Sequence, residues 1–464
     1  MKKKKILIFL PGTTYLKYLH TDAFRDLKKD FRIVLALNHK RKKTFENKYL
    51  KKIDYFYSID KFLKNFIIRY LDLIRIRTKK IIPSFKVPLY FRFPSYKFFL
   101  IIYNDKKNLF PFMVYLKKFY FRSIFYKILS RSFFFILYKK FTEFLLNKNN
   151  EINKIIELEK PNLIIYPTHF IEADLLIILK KCEKDKINNF FIIENWDNLT
   201  TKAAISIKPK NLGVWGRQSK NHALDNFNYN SKNVFPLGNC RIHEYFKFRK
   251  KNYKNLKFTK KPYFLFLGTN VLFREEINFL KKLDSYLADN GTELSGVYRI
   301  HPQLSSQFIN EAKTLKFKKI LVDNPINQRI KNTNKSDYRK KFQHKEYFPL
   351  IKNAEFLIGL TVTTVTLEGF IFGKDYYLIN TSQSDVSNMI NNFSNYYHGI
   401  EKINLFHKFN NYDLFFKHFQ KLLHNKNVIR KLNQTSIDKK IDYFYFNKNK
   451  NYSQNLNNII KKII

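Results

Sequence analysis

The chain has 464 residues, with 87 Lys or Arg against 37 Asp or Glu, a formal net charge of +50, and a hydrophobic share of 45%. That apolar share excludes a disordered tail or histone-like arm, and the length excludes one small domain, since a domain takes roughly 100–200 residues. Aromatics are dense (49 Phe, 30 Tyr, 2 Trp) and glycines few (11). Phe, Tyr, Ile, Asn and Lys share A/T-rich codons, so part of the charge reflects coding bias, and nucleic acid is not the expected partner. What charge remains draws anionic lipids, nucleotides or phosphates over about a Debye length.

The start, Met1 to Leu10, carries four lysines and an apolar run too short for a signal peptide, so it predicts a first strand. Cys182 and Cys240 stand far apart, giving neither a zinc pair nor a disulfide framework. With no apolar stretch near 18 residues, the expectation is a cytoplasmic chain without a membrane span. Ile6–Leu10 and Ile33–Leu37 are continuous apolar runs with helical spacing between them at Phe24 and Leu27, a parallel βαβ pattern. The pattern returns at 162–166, 190–193, 212–215 and 234–237, with a helix near 172–182, and predicts a doubly wound sheet.

Residues 61–150 interrupt this series as an insertion. The block holds 20 Lys or Arg against Asp72, Asp105 and Glu143, with 25 aromatics and no glycine. Phe112 to Leu146 predicts helix, yet Lys118, Arg122, Lys127, Arg131 and Lys139 spread around the wheel instead of marking one polar face. Aromatics with snorkelling basic stems suit an anionic inner-membrane surface; a helical hairpin packed on its own lobe fits as well.

A lysine-rich connector, Lys247 to Lys261, ends at Pro262. A second α/β series follows: strands at 263–268, 296–300, 319–322, 355–359 and 376–379, helices at 277–287, 347–354 and 363–372, and a polar loop at 324–344. The expected class is α/β, two Rossmann-like lobes with a helical basic and aromatic insertion in the first. The domains are 1–245 (acceptor lobe, insertion 61–150), 262–400 (nucleotide-donor lobe) and 401–464 (a helical tail). Such lobes bind ligands where strands end.

The most specific segment is Glu355 to Ile379. A strand exits at Gly359, a loop carries Thr361, Thr363 and Thr364, and a helix follows with Glu368. Helix N-termini and hydroxyls hold phosphates, and Glu368, one turn below Thr364, shares its face. Simple capping by the threonines is the alternative. Glu355–Lys374 resembles the donor-site strand, turn and helix of GT-B glycosyltransferases and of the related CDP-glycerol glycerophosphotransferases. The resemblance implies that Thr363 and Thr364 contact donor phosphates and that Glu368 holds the ribose; the chain departs from it at Gly369 and Asp375, where Ala and Pro are usual.

Arg299-Ile300-His301-Pro302 ends another strand, and Arg299 and His301, two apart, place two potential cations on one face. This is similar to the Arg-x-His-Pro of the same polymer-making enzymes, which implies that His301 faces the donor phosphates. Glu194-Asn195-Trp196-Asp197-Asn198 leaves a strand end and resembles a stretch of GT-B surface-polysaccharide proteins, implying acceptor-side duty for Asn195, Trp196 and Asn198. An Asx turn with Trp196 packed beneath is the alternative.

Transfer to a hydroxyl needs a proton acceptor and positive charge for the leaving group. His169, His20 and Asp197 are the candidates for the base, with His301 at the leaving group. No Asp-x-Asp pair occurs, so no essential metal is expected, and no cofactor beyond the activated donor. The function these features imply is transfer of a sugar or polyol phosphate from a nucleotide-sugar or CDP-polyol donor to a glycan or lipid-linked acceptor of the cell envelope. A nucleotide-sugar 2-epimerase of the same fold, a catalytically dead scaffold and, on charge alone, a nucleic-acid-binding protein are the alternatives. No RNP, KH or zinc pattern supports the last.

Overall fold

A computed structural model describes residues 3–10, 18–19, 21–39, 51–94, 96, 99, 111–148, 150–250, 261–269, 272–301, 304, 306–323, 344–380, 398–424, 439–445 and 451–464. His20, Pro302 and most of the predicted 324–344 loop lie outside the described residues. The chain divides into two compact units, Met1–His243 with Phe444–Ile464, and Glu244–Tyr443.

The first unit is built on seven parallel strands: β1 (Lys5–Leu10), β2 (Arg32–Asn38), β3 (Tyr55–Tyr57), β4 (Leu163–Thr168), β5 (Asn188–Ile193), β6 (Asn211–Val214) and β7 (Val234–Pro236). Their order is β3-β2-β1-β4-β5-β6-β7. Parallel strands are covered on both faces, which is why they read as unbroken apolar runs. Leu7, Phe9, Val34, Ile164, Tyr166 and Phe191 face one core, closed by helices Lys61–Thr78, Glu151–Glu159 and Ala173–Lys184. Ile6, Ile8, Leu10, Leu35, Ile165 and Phe190 face the other, closed by Leu27, Leu456, Ile459 and Ile460.

Leu456, Ile459 and Ile460 belong to the helix Tyr452–Ile463, the end of the predicted tail. Asp26 N–H donates to Ser453 Oγ at 2.8 Å, and Asn457 Nδ2 to Asp30 at 2.6 Å, pinning that helix to the first unit. The rest of the tail differs from expectation. Phe406–Phe409, read as the start of a helical pattern, is strand β13, and helix Tyr412–His424 follows it in the second unit. Four residues carry too little periodicity to separate strand from helix, and pairing with a neighbouring strand decides.

The second unit has six parallel strands: β8 (Tyr263–Leu267), β9 (Ser295–Arg299), β10 (Ile320–Val322), β11 (Leu357–Gly359), β12 (Tyr376–Ile379) and β13, in the order β10-β9-β8-β11-β12-β13. Strand order reverses direction between β1 and β4 in the first sheet and between β8 and β11 in the second. Open α/β sheets bind ligands at such reversals, beyond the carboxyl ends of the strands.

The insertion is helical but not one long helix. Helices Lys61–Thr78, Lys86–Arg92, Pro111–Tyr115, Phe121–Leu129 and Ser132–Leu146 succeed one another, with π-helical Leu116–Tyr120 leading into the fourth. The break at Ser130 and Arg131 is fixed locally: Ser130 Oγ donates to Lys127 O at 2.8 Å and Arg77 donates to Ser130 O at 2.7 Å. Taken as one helix the charges scatter; taken as two, each helix has a defined outer face.

Candidate functional site

In the second unit, two loops leave the adjacent strands β8 and β11 at the reversal point. After β8, Gly268 donates to Arg299 O at 2.9 Å. A Cβ on Gly268 would lie 2.7 Å from that oxygen, so only glycine permits the approach. Thr269 N–H then donates to Glu276 Oε1 at 2.5 Å, Leu272 N–H donates to Thr269 Oγ1 at 3.1 Å, and Tyr298 OH donates to Glu276 Oε2 at 2.8 Å. Glu276 is fully buried on helix Phe273–Asp289, and burial pushes its pKa up to about 7. This carboxyl braces the loop.

After β11, Tyr376 OH donates to Thr361 O at 2.6 Å, and Gly359 leaves the space its hydroxyl occupies. Thr363 N–H donates to Thr366 Oγ1 at 3.1 Å at the start of helix Thr364–Ile371. Thr363 and Thr364 are half-buried at that helix start, where backbone dipoles and hydroxyls favour an anion.

Glu368 lies within that helix, Thr364–Ile371. It is buried, and Tyr245 OH donates to its Oε2 at 2.7 Å. Both departures from the resemblance have local reasons. Gly369 makes room for Leu357 Cδ1, and Asp375 pairs with His407 Nε2 at 2.7 Å while its carbonyl accepts from Leu357 N–H.

At the end of β9 the two expected cations are altered. Arg299 donates to Asp323 Oδ2 at 2.9 Å with both groups buried, so its charge is balanced. Burial pushes the His301 pKa down to about 4 and leaves the ring neutral near pH 7. A neutral imidazole still offers one N–H to a phosphate oxygen.

In the first unit, His169 and the 194–201 turn follow β4 and β5. Glu172 accepts from Thr168 Oγ1 (2.8 Å), His169 N–H (3.0 Å) and Ile171 N–H (3.1 Å), and burial pushes its pKa up despite these donors. Within this loop Phe170 takes a φ of 59°, left-handed for a non-glycine residue and a cost of about 1–2 kcal/mol that the surrounding bonds hold in place. The Asn198 amide nitrogen lies 3.0 Å from His169 Nδ1 and 3.5 Å from Thr168 O. With the amide nitrogen facing the ring, Nδ1 accepts; with the amide turned over, Nδ1–H donates to Oδ1.

Asp197 Oδ2 accepts from Thr201 Oγ1 at 3.1 Å inside the short helix Asn198–Thr201, and Asp197 is buried. Trp196 is buried against Phe444, with its carbonyl accepting from Ser219 Oγ at 3.3 Å, so its indole forms the floor of the turn. Asn195 is half-buried. The structure thus gathers His169, Asp197 and Asn198 in one unit, and Arg299, His301, Thr363, Thr364 and Glu368 in the other.

Sequence reading missed Gly268, Thr269, Glu276, Tyr245, Asp323 and Glu172. Only Gly268-Thr269 gave a signal, as a glycine ending a strand; the others act through long-range pairings. Among the described residues no group of three or more His, Cys, Asp or Glu could hold a metal ion, and no helix is long and apolar enough to cross a membrane.

No protein-family model matches the chain, and no curated protein matches it. Solved structures do. One is a Listeria monocytogenes protein provisionally named a UDP-N-acetylglucosamine 2-epimerase, 12% identical, with a TM-score of 0.52 over 99% of this chain and 96% of that one. A second is S. aureus MnaA determined with UDP, 12% identical, TM-score 0.51, over 99% and 98%. A third is a glycosyltransferase of Rickettsia africae, 11% identical, TM-score 0.51, over 100% and 99%. At such identities the likeness is one of fold, and the fold is the GT-B type.

Proposed function

We propose that the chain is a transferase that moves a sugar or polyol phosphate from a nucleotide-activated donor to a glycan or lipid-linked acceptor of the cell envelope, on the cytoplasmic side and without a metal ion. The observation that carries this reading is that the Gly268-Thr269 turn and the Thr361–Thr364 loop leave the adjacent strands β8 and β11 at the strand reversal of the second sheet, the second of them running into a helix N-terminus. Amide dipoles and hydroxyls are the groups a diphosphate needs. The S. aureus structure determined with UDP supports a nucleotide in this fold.

In the transfer, the acceptor oxygen forms its new bond at the anomeric carbon, or at the phosphorus of a polyol phosphate. The bond to the nucleotide breaks, and the nucleotide leaves with the electron pair. Thr363, Thr364 and the His301 N–H receive the charge that develops there. The acceptor proton goes to a base. His169 fills that role when the Asn198 amide turns over, so that Oδ1 accepts from Nδ1–H and the basic lone pair of the ring lies on Nε2; Asp197 and His20 are the other candidates.

Isothermal titration of the full chain with UDP, CDP, GDP and CMP tests the donor site. Binding of one of them, weakened roughly tenfold (about 1.4 kcal/mol) by Thr363→Val with Thr364→Val, is expected. A folded chain that binds none refutes the reading. The likeness to the Listeria protein favours a second reading, 2-epimerisation. Epimerised sugar formed from UDP-N-acetylglucosamine without any acceptor would establish it.

A further inference from the structure

Within the first unit, the two helices Phe121–Leu129 and Ser132–Leu146 of the insertion turn apolar faces in both directions. Inward, Tyr138 stacks on Phe66 at 4.1 Å and donates to Phe66 O at 3.2 Å, Arg77 covers the Phe135 ring at 4.6 Å, and Thr142, Leu145 and Leu146 are buried. That side anchors the hairpin. Outward, Phe121, Ile124, Phe125 and Ile128 recur at helical spacing, and Phe133, Leu137, Phe141 and Phe144 do the same on the second helix. Phe121 is 63% exposed, Phe133 68% and Phe144 59%. A helix normally turns its apolar stripe to the core; here a second stripe faces water, and contiguous apolar surface of this kind marks an interaction site.

Charge decides the occupant. Residues 111–146 carry seven Lys or Arg and one acid, Glu143, and Lys117, Lys118, Lys127, Arg131, Lys139 and Lys140 are exposed beside the aromatic stripe. A second copy of a chain carrying +50 would bring like charge against like. An anionic bilayer satisfies both features, taking the phenyl rings into the acyl boundary and the basic heads at the lipid phosphates.

We infer that this hairpin docks the protein on an anionic membrane surface. The Lys61–Thr78 helix, on which the docking helices pack through Phe66 and Arg77, and the Pro83–Phe85 turn after it are in turn bonded to the candidate acceptor turn: Arg75 Nε donates to Lys202 O at 2.9 Å, and Ser84 Oγ donates to Thr200 O. The inference is independent of the donor reading, because vesicle binding requires no nucleotide.

The test is co-sedimentation of the full chain with vesicles of phosphatidylcholine alone or with one third phosphatidylglycerol. Binding to the anionic vesicles only is expected. Phe121→Ser with Phe125→Ser and Phe133→Ser, and separately Lys117→Glu with Lys118→Glu, should each lower it roughly tenfold or more with the circular dichroism unchanged. Exposed positions make misfolding a small concern. Absence of binding, or equal binding to neutral vesicles, overturns the inference. Binding lost in the charge variant but kept in the serine variant also overturns it, leaving mere electrostatic adhesion. Concentration-dependent self-association abolished by the serine variant, without vesicle binding, assigns the face to a second copy instead.

Discussion

Glu276 links one residue to the pH response of the fold. Its folded pKa of about 7 lies above the usual 4.5, so between those values the folded chain binds more protons than the unfolded one. Stability then falls as pH rises through that window, by up to about 3 kcal/mol. His301, with its pKa pushed down to about 4, works in the opposite sense and adds stability as pH rises from 4 towards 6.5. The two partly cancel in the intact chain, so the variant separates them. Glu276→Gln should match the parent below pH 4.5 and gain on it steadily up to pH 7 in thermal unfolding; a constant difference would show that the carboxyl does not titrate in this range. Nothing in the sequence marks Glu276, because a first-turn Glu275-Glu276 pair on an amphipathic helix looks like a solvated answer to the helix dipole.

Glu368 is a second residue whose role its partner decides. Removing it takes away the carboxylate to which the buried Tyr245 hydroxyl donates, and Glu368→Ala should cost about 1–3 kcal/mol of stability. If it also holds the ribose, the donor dissociation constant rises about tenfold or more, whereas Tyr245→Phe loses stability and keeps nucleotide affinity. Equal nucleotide affinity in both variants would leave Glu368 a tie between the Cys240–Lys250 helix and the Thr364–Ile371 helix.

Among elements, the strands buried on both faces were the legible ones. Ile6–Leu10 and Tyr263–Leu267 are continuous apolar runs ended by glycine or proline, and burial on both sides leaves no other arrangement. Tyr55–Tyr57 and Phe406–Phe409 sit at sheet edges, are short, and owe their form to a neighbour. The Thr361–Thr364 loop was legible because hydroxyls followed a strand-ending glycine; its partner loop was not, since Gly268-Thr269 gains meaning only once β8 lies beside β11. Gly268→Ala should cost about 1–3 kcal/mol by overpacking against Arg299 O and weaken nucleotide binding with it. Unchanged melting and affinity would mean that the loop relaxes freely. The Lys61–Thr78 helix offers a parallel case. Arg75 and Arg92 both pair with buried Asp72, and Arg75→Ala, which leaves that carboxylate with Arg92 alone and releases Lys202 O, should lower stability by about 1–3 kcal/mol in thermal unfolding.

For the whole molecule, the charge and the aromatic excess divide between two causes. Much of both is spread over the chain as coding bias predicts, while the insertion concentrates them on one hairpin whose outer face has no covering element among the described residues. Composition could locate that block but not its geometry, because the break at Ser130 is held in part by Arg77 from another helix.

Both tryptophans of the chain, Trp196 and Trp215, are buried in the first unit, beside Phe444 and Tyr445. Indole emission is therefore a built-in gauge of that half alone. Melting of the other half would leave the fluorescence silent while far-ultraviolet ellipticity fell, so noncoincident optical transitions would reveal which half lets go first.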